Sequence, residues 1–196
     1  EAQEIEQGRS YHPEIIKDNP RISAALPATP ITIAYRSDSS GTTNNFLQYL
    51  NAWAPTIFPK VQDDMTTAFP GGKPPANSVA GKGNSGVMAN VLAKEGTIGY
   101  VDLGDAKGYP SARIQNAKGE FIAPSSASAA KNLANQTNID ALGLVQLNYK
   151  VDVSGAYPMS IFSYGLARTD GKGPNGLGVR QFQDYVIQKC GPSRAA

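Results

Sequence analysis

Ile31-Thr-Ile-Ala-Tyr35 runs directly into Arg36-Ser-Asp-Ser-Ser-Gly-Thr42 in the stretch of sequence that decides the fold. The first segment follows a proline and carries β-branched and aromatic residues at alternate positions, which predicts a buried strand. The second segment is a loop of small polar residues. Beyond it, Phe46, Leu50 and Trp53 recur on one face of a predicted helix, so these side chains are expected in the core. A strand, a short loop and a helix in this order are typical of α/β proteins.

The other predicted elements also alternate between helices and strands. The first half of the chain adds a short helix at Pro13–Lys17, a helix after Gly81-Lys-Gly-Asn84 with Val87, Val91 and Leu92 on one face, and a strand at Thr97–Val101. The second half adds a hairpin within Ala112–Ile122 that turns at Lys118-Gly119, a helix within Ser125–Asn135, a strand at Pro158–Ala167, and a final helix with an apolar stripe of Val179, Phe182 and Val186. This alternation predicts an α/β layered fold in which helices cover a mixed sheet.

The composition excludes several classes of function. The chain has 18 basic and 16 acidic residues, and a net charge of +2 is too small to drive tight binding of a polyanion. No nucleic acid partner is therefore expected. A single cysteine, Cys190, excludes an intrachain disulfide, and a single histidine, His12, excludes a multi-histidine metal site. No metal and no cofactor are predicted. The many glycines and prolines favour a loop-rich extracytoplasmic domain over a helical bundle.

The loop before the first long helix has the features of an anion site. Unpaired backbone N–H groups and the positive end of the helix dipole meet at a helix N-terminus. Ser40 and Thr42 add hydroxyl donors there, and Gly41 lets a ligand approach the backbone. Arg36, at the end of the strand, can supply a planar fork of donors to a tetrahedral oxyanion. By contrast, Gly81-Lys-Gly-Asn84 is interpreted as the start of the next helix with Asn84 as its cap, rather than as a second anion cradle.

Asp38 is the unusual member of this loop, because a carboxylate beside an anion site is repulsive unless it has a specific role. It can hold the arginine by a salt bridge. Alternatively, it can accept a proton from an anion that still carries one, as hydrogen phosphate does and sulfate does not. The residues alone leave both roles open.

The segment Arg36–Thr42 resembles the R-x-D-x-S-G-T signature of the phosphate-binding proteins of bacterial ABC phosphate importers, including their DING relatives. Other family motifs lie before and after it in the expected order. These similar segments are His12-Pro-Glu-Ile-Ile-Lys-Asp-Asn-Pro20 with Leu26-Pro27, Gly81-Lys-Gly-Asn84 with Gly86-Val87, Gly96-Thr-Ile-Gly-Tyr-Val101, and Ala156-Tyr-Pro158 with Tyr164. The resemblance spans about residues 12–190.

The resemblance implies a periplasmic-binding-protein-like fold in which two lobes clamp one phosphate ion. It assigns Arg36, Ser40, Gly41 and Thr42 as phosphate donors and Asp38 as the carboxylate that orients Arg36. It implies inorganic phosphate as the ligand, an ABC permease as a partner, an extracytoplasmic location and no catalysed reaction. A phosphatase is not expected, because the sequence lacks the metal ligands and a convincing nucleophile-base pair.

The family's first lobe, which grips the other side of the phosphate, has no counterpart before Glu1. The resemblance therefore implies that residues 1–157 correspond to the second lobe, and that residues 158–196 correspond to the strand and helix that return toward the first. The missing first lobe, or a second copy of this chain, would then be a partner. The alternative function is an extracellular structural, interaction or sensing module that keeps this lobe without a transport role.

Overall fold

The computed structural model describes residues 13–27, 29–168, 170, 172–173 and 175–191. His12, the first residue of the N-terminal motif, lies outside these ranges. In chain order the main elements are α1 (Pro13–Asp18), β1 (Thr32–Arg36), α2 (Gly41–Trp53), β2 (Ser78–Gly81), α3 (Gly83–Ala93), β3 (Thr97–Gly99), β4 (Ile114–Gln115), β5 (Phe121–Ile122), α4 (Ser126–Leu133) and α5 (Gly176–Tyr185). A wider helical turn, Val186–Cys190, continues α5.

The main sheet has three parallel strands in the order β2-β1-β3. In its register Arg36 lies opposite Gly81 of β2, and Ile33 lies opposite Ile98 of β3. The α/β class is confirmed, but the main sheet described is parallel rather than mixed, because α2 and α3 each return the chain to the same end of the sheet. The carboxyl ends of all three strands therefore meet at one edge.

The core lies between β1, α2 and the loop that follows α2. Its buried members are Tyr35, Leu47, Met65, Ala68 and Phe69, with the rings of Tyr35 and Phe69 edge to face at 5.1 Å. Phe46 and Leu50 pack against this cluster as predicted. Trp53 does not belong to the core, since it is 38% exposed at the last residue of α2. Its indole instead lies under the Lys150 ammonium group, 5.2 Å from the ring centroid.

The predicted strand at Pro158–Ala167 is wrong, because this segment has no regular secondary structure. Alternating residues form a strand only where a neighbouring strand supplies hydrogen-bond partners, and none of the described strands pairs with it. The apolar stripe on α5 is also unpartnered within the described residues. Phe182 is 67% exposed, and Val179 and Val186 are exposed as well.

The predicted hairpin is present, with β4 and β5 antiparallel around Lys118-Gly119. The carboxylate of Glu120, inside the turn, joins the hairpin to the loop at residues 154–155. It accepts hydrogen bonds from the Gly155 N–H at 2.8 Å, the Ser154 Oγ at 2.7 Å and the Asn116 Nδ2 at 2.8 Å. The Gly155 N–H contributes most to lowering the pKa of Glu120, which falls from 4.5 to about 2.

Glu120→Gln is expected to lower the melting temperature at neutral pH. It should also make the melting temperature fall less steeply as the pH is lowered. The folded carboxyl has a pKa below the unfolded value, so its stabilisation is present above about pH 4.5 and is lost as the pH falls through about 2. A glutamine would turn an amide NH₂ toward groups that donate hydrogen bonds. Thermal unfolding followed by circular dichroism at pH 7, 4 and 2.5 measures this difference from the wild type. Glu95→Gln, at an exposed position, is the matched control.

Candidate functional site

The candidate site lies where the three parallel strands end. The chain continues from β1 into the loop before α2, from β2 into the start of α3, and from β3 into a loop that includes Tyr100 and Asp102. A depression of about 550 Å³ opens at this edge. It is lined by Arg36, Ser39, Ser40, Gly41, Thr42, Asp102, Leu103, Ile161 and Ser163. Four of the five residues predicted for the site are in this lining, and the fifth, Asp38, contacts Arg36.

Asp38 forms a two-pronged salt bridge with Arg36. The Arg36 Nε donates to Asp38 Oδ1 at 2.8 Å, and Nη2 donates to Oδ2 at 2.6 Å. Oδ1 also accepts the backbone N–H of Gly83 at 2.9 Å, at the first turn of α3. The bond to Arg36 is the main cause that holds the pKa of Asp38 well below its usual value. Asp38 is not among the residues that line the depression, so its carboxylate is placed to hold Arg36 rather than to face a ligand.

Arg36 is fixed on a second side by Asn84. The Arg36 Nη1 donates to the Asn84 Oδ1 at 2.9 Å. A guanidinium has five N–H groups, and these contacts occupy three, which leaves two for a ligand. The side chain is only 12% exposed, although it lines the depression. The hydrogen bond to Asp38 raises the pKa of Arg36, so the group is a permanent, oriented cation.

The first turn of α2 supplies backbone donors beside this cation. Ser40 caps the helix, with its Oγ accepting the Thr43 N–H at 3.3 Å, while its own N–H donates to the Asp63 carbonyl at 3.0 Å. Among the described residues, no acceptor contacts the N–H groups of Gly41 and Thr42. Nothing lies within 4 Å of the position that a Cβ on Gly41 would occupy. An anion can therefore reach these N–H groups.

The hydroxyl group of Thr42 was expected to donate to the anion, but it makes a different hydrogen bond. Its Oγ1 donates to the Asp102 Oδ1 at 3.1 Å, so its proton is directed at a carboxylate. The Thr42 N–H is the donor that stays available to a ligand. Asp102 itself lines the depression, so a hydrogen-bond acceptor lies in the same depression as the donors of Arg36 and α2.

Tyr100 ties the three elements around the site together. Its hydroxyl accepts the Arg36 backbone N–H at 3.3 Å and bonds to the Thr43 Oγ1 at 2.7 Å. Its ring stacks on Phe46 with the centroids 4.4 Å apart. Burial raises the pKa of Tyr100, so the phenol stays neutral and can both donate and accept. The end of β1 is thereby held against the start of α2.

Asn84 is not the helix cap that the sequence predicted. The N-cap of α3 is Lys82, which makes no capping hydrogen bond with its side chain. The Asn84 amide points instead across the site, with Oδ1 on Arg36 and Nδ2 donating to Asp102 at 2.8 Å and to Asp105 at 2.7 Å. The start of α3 does meet a carboxylate, through Gly83, but the carboxylate is that of Asp38.

Comparison with known proteins gives the family. The PBP superfamily domain matches this chain over residues 14–189. The chain belongs to the PBP superfamily. The phosphate-binding protein PstS of Xylella fastidiosa (strain Temecula1) is 37% identical over 156 residues, which are 78% of this chain and 40% of that relative. A solved structure described as a high affinity periplasmic phosphate-binding protein (PfluDING) bound with phosphate is similar with a TM-score of 0.51 and 27% identity, over 69% of this chain and 42% of that one.

These relatives confirm the resemblance drawn from the motifs. The chain spans about two fifths of the length of the relatives just described. Another relative carries the name alkaline phosphatase L, from Pseudomonas aeruginosa, and is 34% identical over 120 residues, or 60% of this chain and 29% of that protein. The names of these relatives thus include both a binding protein and an enzyme.

Three residues of the site were not predicted from the sequence, namely Asn84, Tyr100 and Asp102. Each follows β2 or β3. Asn84 was interpreted as a helix cap, Tyr100 lies in a motif that was given no place in the site, and Asp102 directly follows that motif. The signal was available in the topology, because loops after neighbouring parallel strands meet at one edge. Once β1, β2 and β3 are assigned to one parallel sheet, the residues after β2 and β3 belong beside Arg36.

Two further properties of the described residues bear on function. Within the described ranges, no group of three or more histidine, cysteine, aspartate or glutamate residues is arranged to hold a metal ion. No helix in those ranges is both long and apolar enough to cross a membrane.

Proposed function

We propose that this PBP superfamily domain binds inorganic phosphate outside the cytoplasm, as part of the substrate-binding protein of an ABC phosphate importer. The observation that carries the proposal is the position of Arg36. Asp38 and Asn84 fix its guanidinium and leave two of its N–H groups without an acceptor, and Arg36 lines the same depression as the first turn of α2. The names of the relatives, a PstS and a phosphate-bound PfluDING, support phosphate as the ion.

The arrangement suits a tetrahedral anion with one proton. Arg36 and the N–H groups of Gly41 and Thr42 would donate to its charged oxygens. Asp102 would accept from a protonated oxygen, which hydrogen phosphate has and sulfate lacks. These contacts, with the Ser40 hydroxyl beside them, reach the ion from one side. We propose that a second surface completes the grip.

The second surface is proposed to be another lobe. In this scheme residues 1–157 form one lobe, and residues 158–196 form the segment that returns toward the other. Two observations support the division. The segment from Pro158 to Ala167 has no strand partner among the described strands, and the apolar stripe of α5 is exposed. A second copy of the chain would also cover that stripe. If the domain is instead an interaction module without a transport role, the partner of that module would cover it.

Binding without catalysis is proposed despite the relative named alkaline phosphatase L. The hydroxyl nearest to a base in the depression is that of Thr42, with Asp102 as its acceptor at 3.1 Å. A carboxylate is a poor base for an alcohol, because proton transfer between groups of such different pKa is unfavourable. Incubation with p-nitrophenyl phosphate tests this directly. Steady release of nitrophenol that Asp102→Asn abolishes would establish an enzyme.

Titration with phosphate tests the proposed function. We expect the backbone N–H signals of Gly41 and Thr42 to shift with phosphate, with a dissociation constant of about 1 mM because one side of the ion stays in water. Sulfate at matched ionic strength should bind more weakly, since Asp102 repels an oxygen without a proton. Two-dimensional ¹H–¹⁵N spectra follow both titrations. Equal, small shifts in phosphate, sulfate and chloride would contradict phosphate binding.

A further inference from the structure

The side chain of Asn84 lies between a cation and two carboxylates, and both ends of its amide make hydrogen bonds. Its Oδ1 accepts from Arg36 Nη1 at 2.9 Å. The two hydrogens of its Nδ2 serve Asp102 Oδ2 at 2.8 Å and Asp105 Oδ2 at 2.7 Å. An amide is suited to this place because one end accepts and the other donates.

Arg36 and Asp102 have a strong reason to pair directly. Both line the same depression, and a guanidinium and a carboxylate form charge-assisted hydrogen bonds when nothing separates them. The two free N–H groups of Arg36 would be the ones used in such a pair. A pair of this kind would occupy the donors that an anion needs.

We propose that Asn84 is a positioning residue that keeps Arg36 available to an oxyanion by holding its guanidinium apart from the Asp102 carboxylate. The inference rests on the proposed phosphate site. It adds a residue, Asn84, that makes Arg36 bind phosphate rather than the carboxylate of Asp102. An aspartate at this position would accept from Arg36 but repel Asp102 and Asp105. An apolar residue would free Arg36 to turn toward Asp102.

A double-mutant cycle tests the proposal in the 196-residue chain. Asn84→Ala should weaken phosphate binding about tenfold, because Asp102 then competes for Arg36. The same substitution in an Asp102→Asn background should weaken it by no more than about threefold, since the competitor has lost its charge. Affinities come from the phosphate-induced shifts of the Gly41 and Thr42 signals. Equal weakening in both backgrounds would overturn the proposal.

Asp105→Asn provides the matched control. Asp105 accepts from the same Asn84 amide group but is not among the residues that line the depression. We expect no rescue of Asn84→Ala in the Asp105→Asn background. Rescue by Asp105→Asn as large as that by Asp102→Asn would also overturn the proposal, because it would show a general charge effect.

A crystal structure of phosphate-free Asn84→Ala separates this inference from the proposed function. A direct hydrogen bond between Arg36 and Asp102 is expected, and an Arg36 that stays away from Asp102 would overturn the inference. Failure of the wild type to bind phosphate would remove the proposed function, while the crystal structure would still decide how Asn84 acts. Circular dichroism checks folding, and Asn84→Leu, which has a similar shape, replaces Asn84→Ala if that variant does not fold.

Discussion

Arg36→Ala should lower the affinity for phosphate by about 100-fold or more, the largest loss expected from any single change in the site. The substitution removes two free N–H donors, and a charge-assisted hydrogen bond contributes about 1.5–3 kcal/mol. It also leaves the Asp38 carboxylate without its main partner beside the anion, so repulsion adds to the lost attraction. The ¹H–¹⁵N phosphate titration measures the change.

Two variants separate the effect of the guanidinium geometry of Arg36 from the effect of its charge. Arg113→Ala removes the same charge from an exposed position outside the depression, and its affinity should stay within about twofold of the wild type because exposed charges are screened. Arg36→Lys keeps a charge at the site but cannot form the two-pronged bond to Asp38, so an intermediate affinity is expected. Unchanged binding by Arg36→Ala, with a normal circular dichroism spectrum, would show that Arg36 does not contact the ligand.

The part of the site that lies within one stretch of sequence could be predicted, and the part that crosses between loops could not. Arg36, Asp38, Ser40, Gly41 and Thr42 follow one another along a strand end and a helix start, so local chemistry indicates an anion site. The two roles of Asp38 remained open because its partners depend on geometry. Contact with both Arg36 and the Gly83 N–H favours the holding role, and Gly83 is 45 residues away.

The fold was predicted where local patterns sufficed, and the errors arose where burial depends on distant partners. The helix α2 is present as predicted and ends at Trp53, although it begins at Gly41, inside the segment predicted as a loop. Periodicity placed Trp53 in the core, but it cannot show that the last turn of the helix extends past the cluster around Leu47. Similarly, the alternation in Pro158–Ala167 describes a segment that could be a strand. Whether it becomes one depends on a free strand edge beside it.

The close approach of β2 to α3 explains why the last residue of β2, Gly81, is a glycine. A Cβ on Gly81 would lie 2.5 Å from the Val87 nitrogen and 2.6 Å from the Gly86 oxygen, closer than atoms can approach. These are backbone atoms, which cannot move aside as a flexible side chain can. Val87 is fully buried, so the helix start is fixed against the sheet. The same packing sets the positions of Gly83 and Asn84, and hence of the partners of Arg36.

Gly81→Ala should therefore destabilise the domain by about 3 kcal/mol or more, the largest stability effect expected among these variants. The added methyl group must push α3 away from β2, which separates Gly83 from Asp38 and Asn84 from Arg36. Urea unfolding followed by circular dichroism measures the free energy, and phosphate affinity should fall together with it.

Gly104→Ala is the matched control for this substitution. No atom lies within 4 Å of the position that its Cβ would occupy, and its backbone does not have the positive φ that disfavours alanine. Its unfolding free energy should stay within about 0.5 kcal/mol of the wild type. The same small change in Gly81→Ala would mean that α3 is not packed against β2 as closely as described. The glycine would then have no steric role in holding the partners of Arg36 at the site.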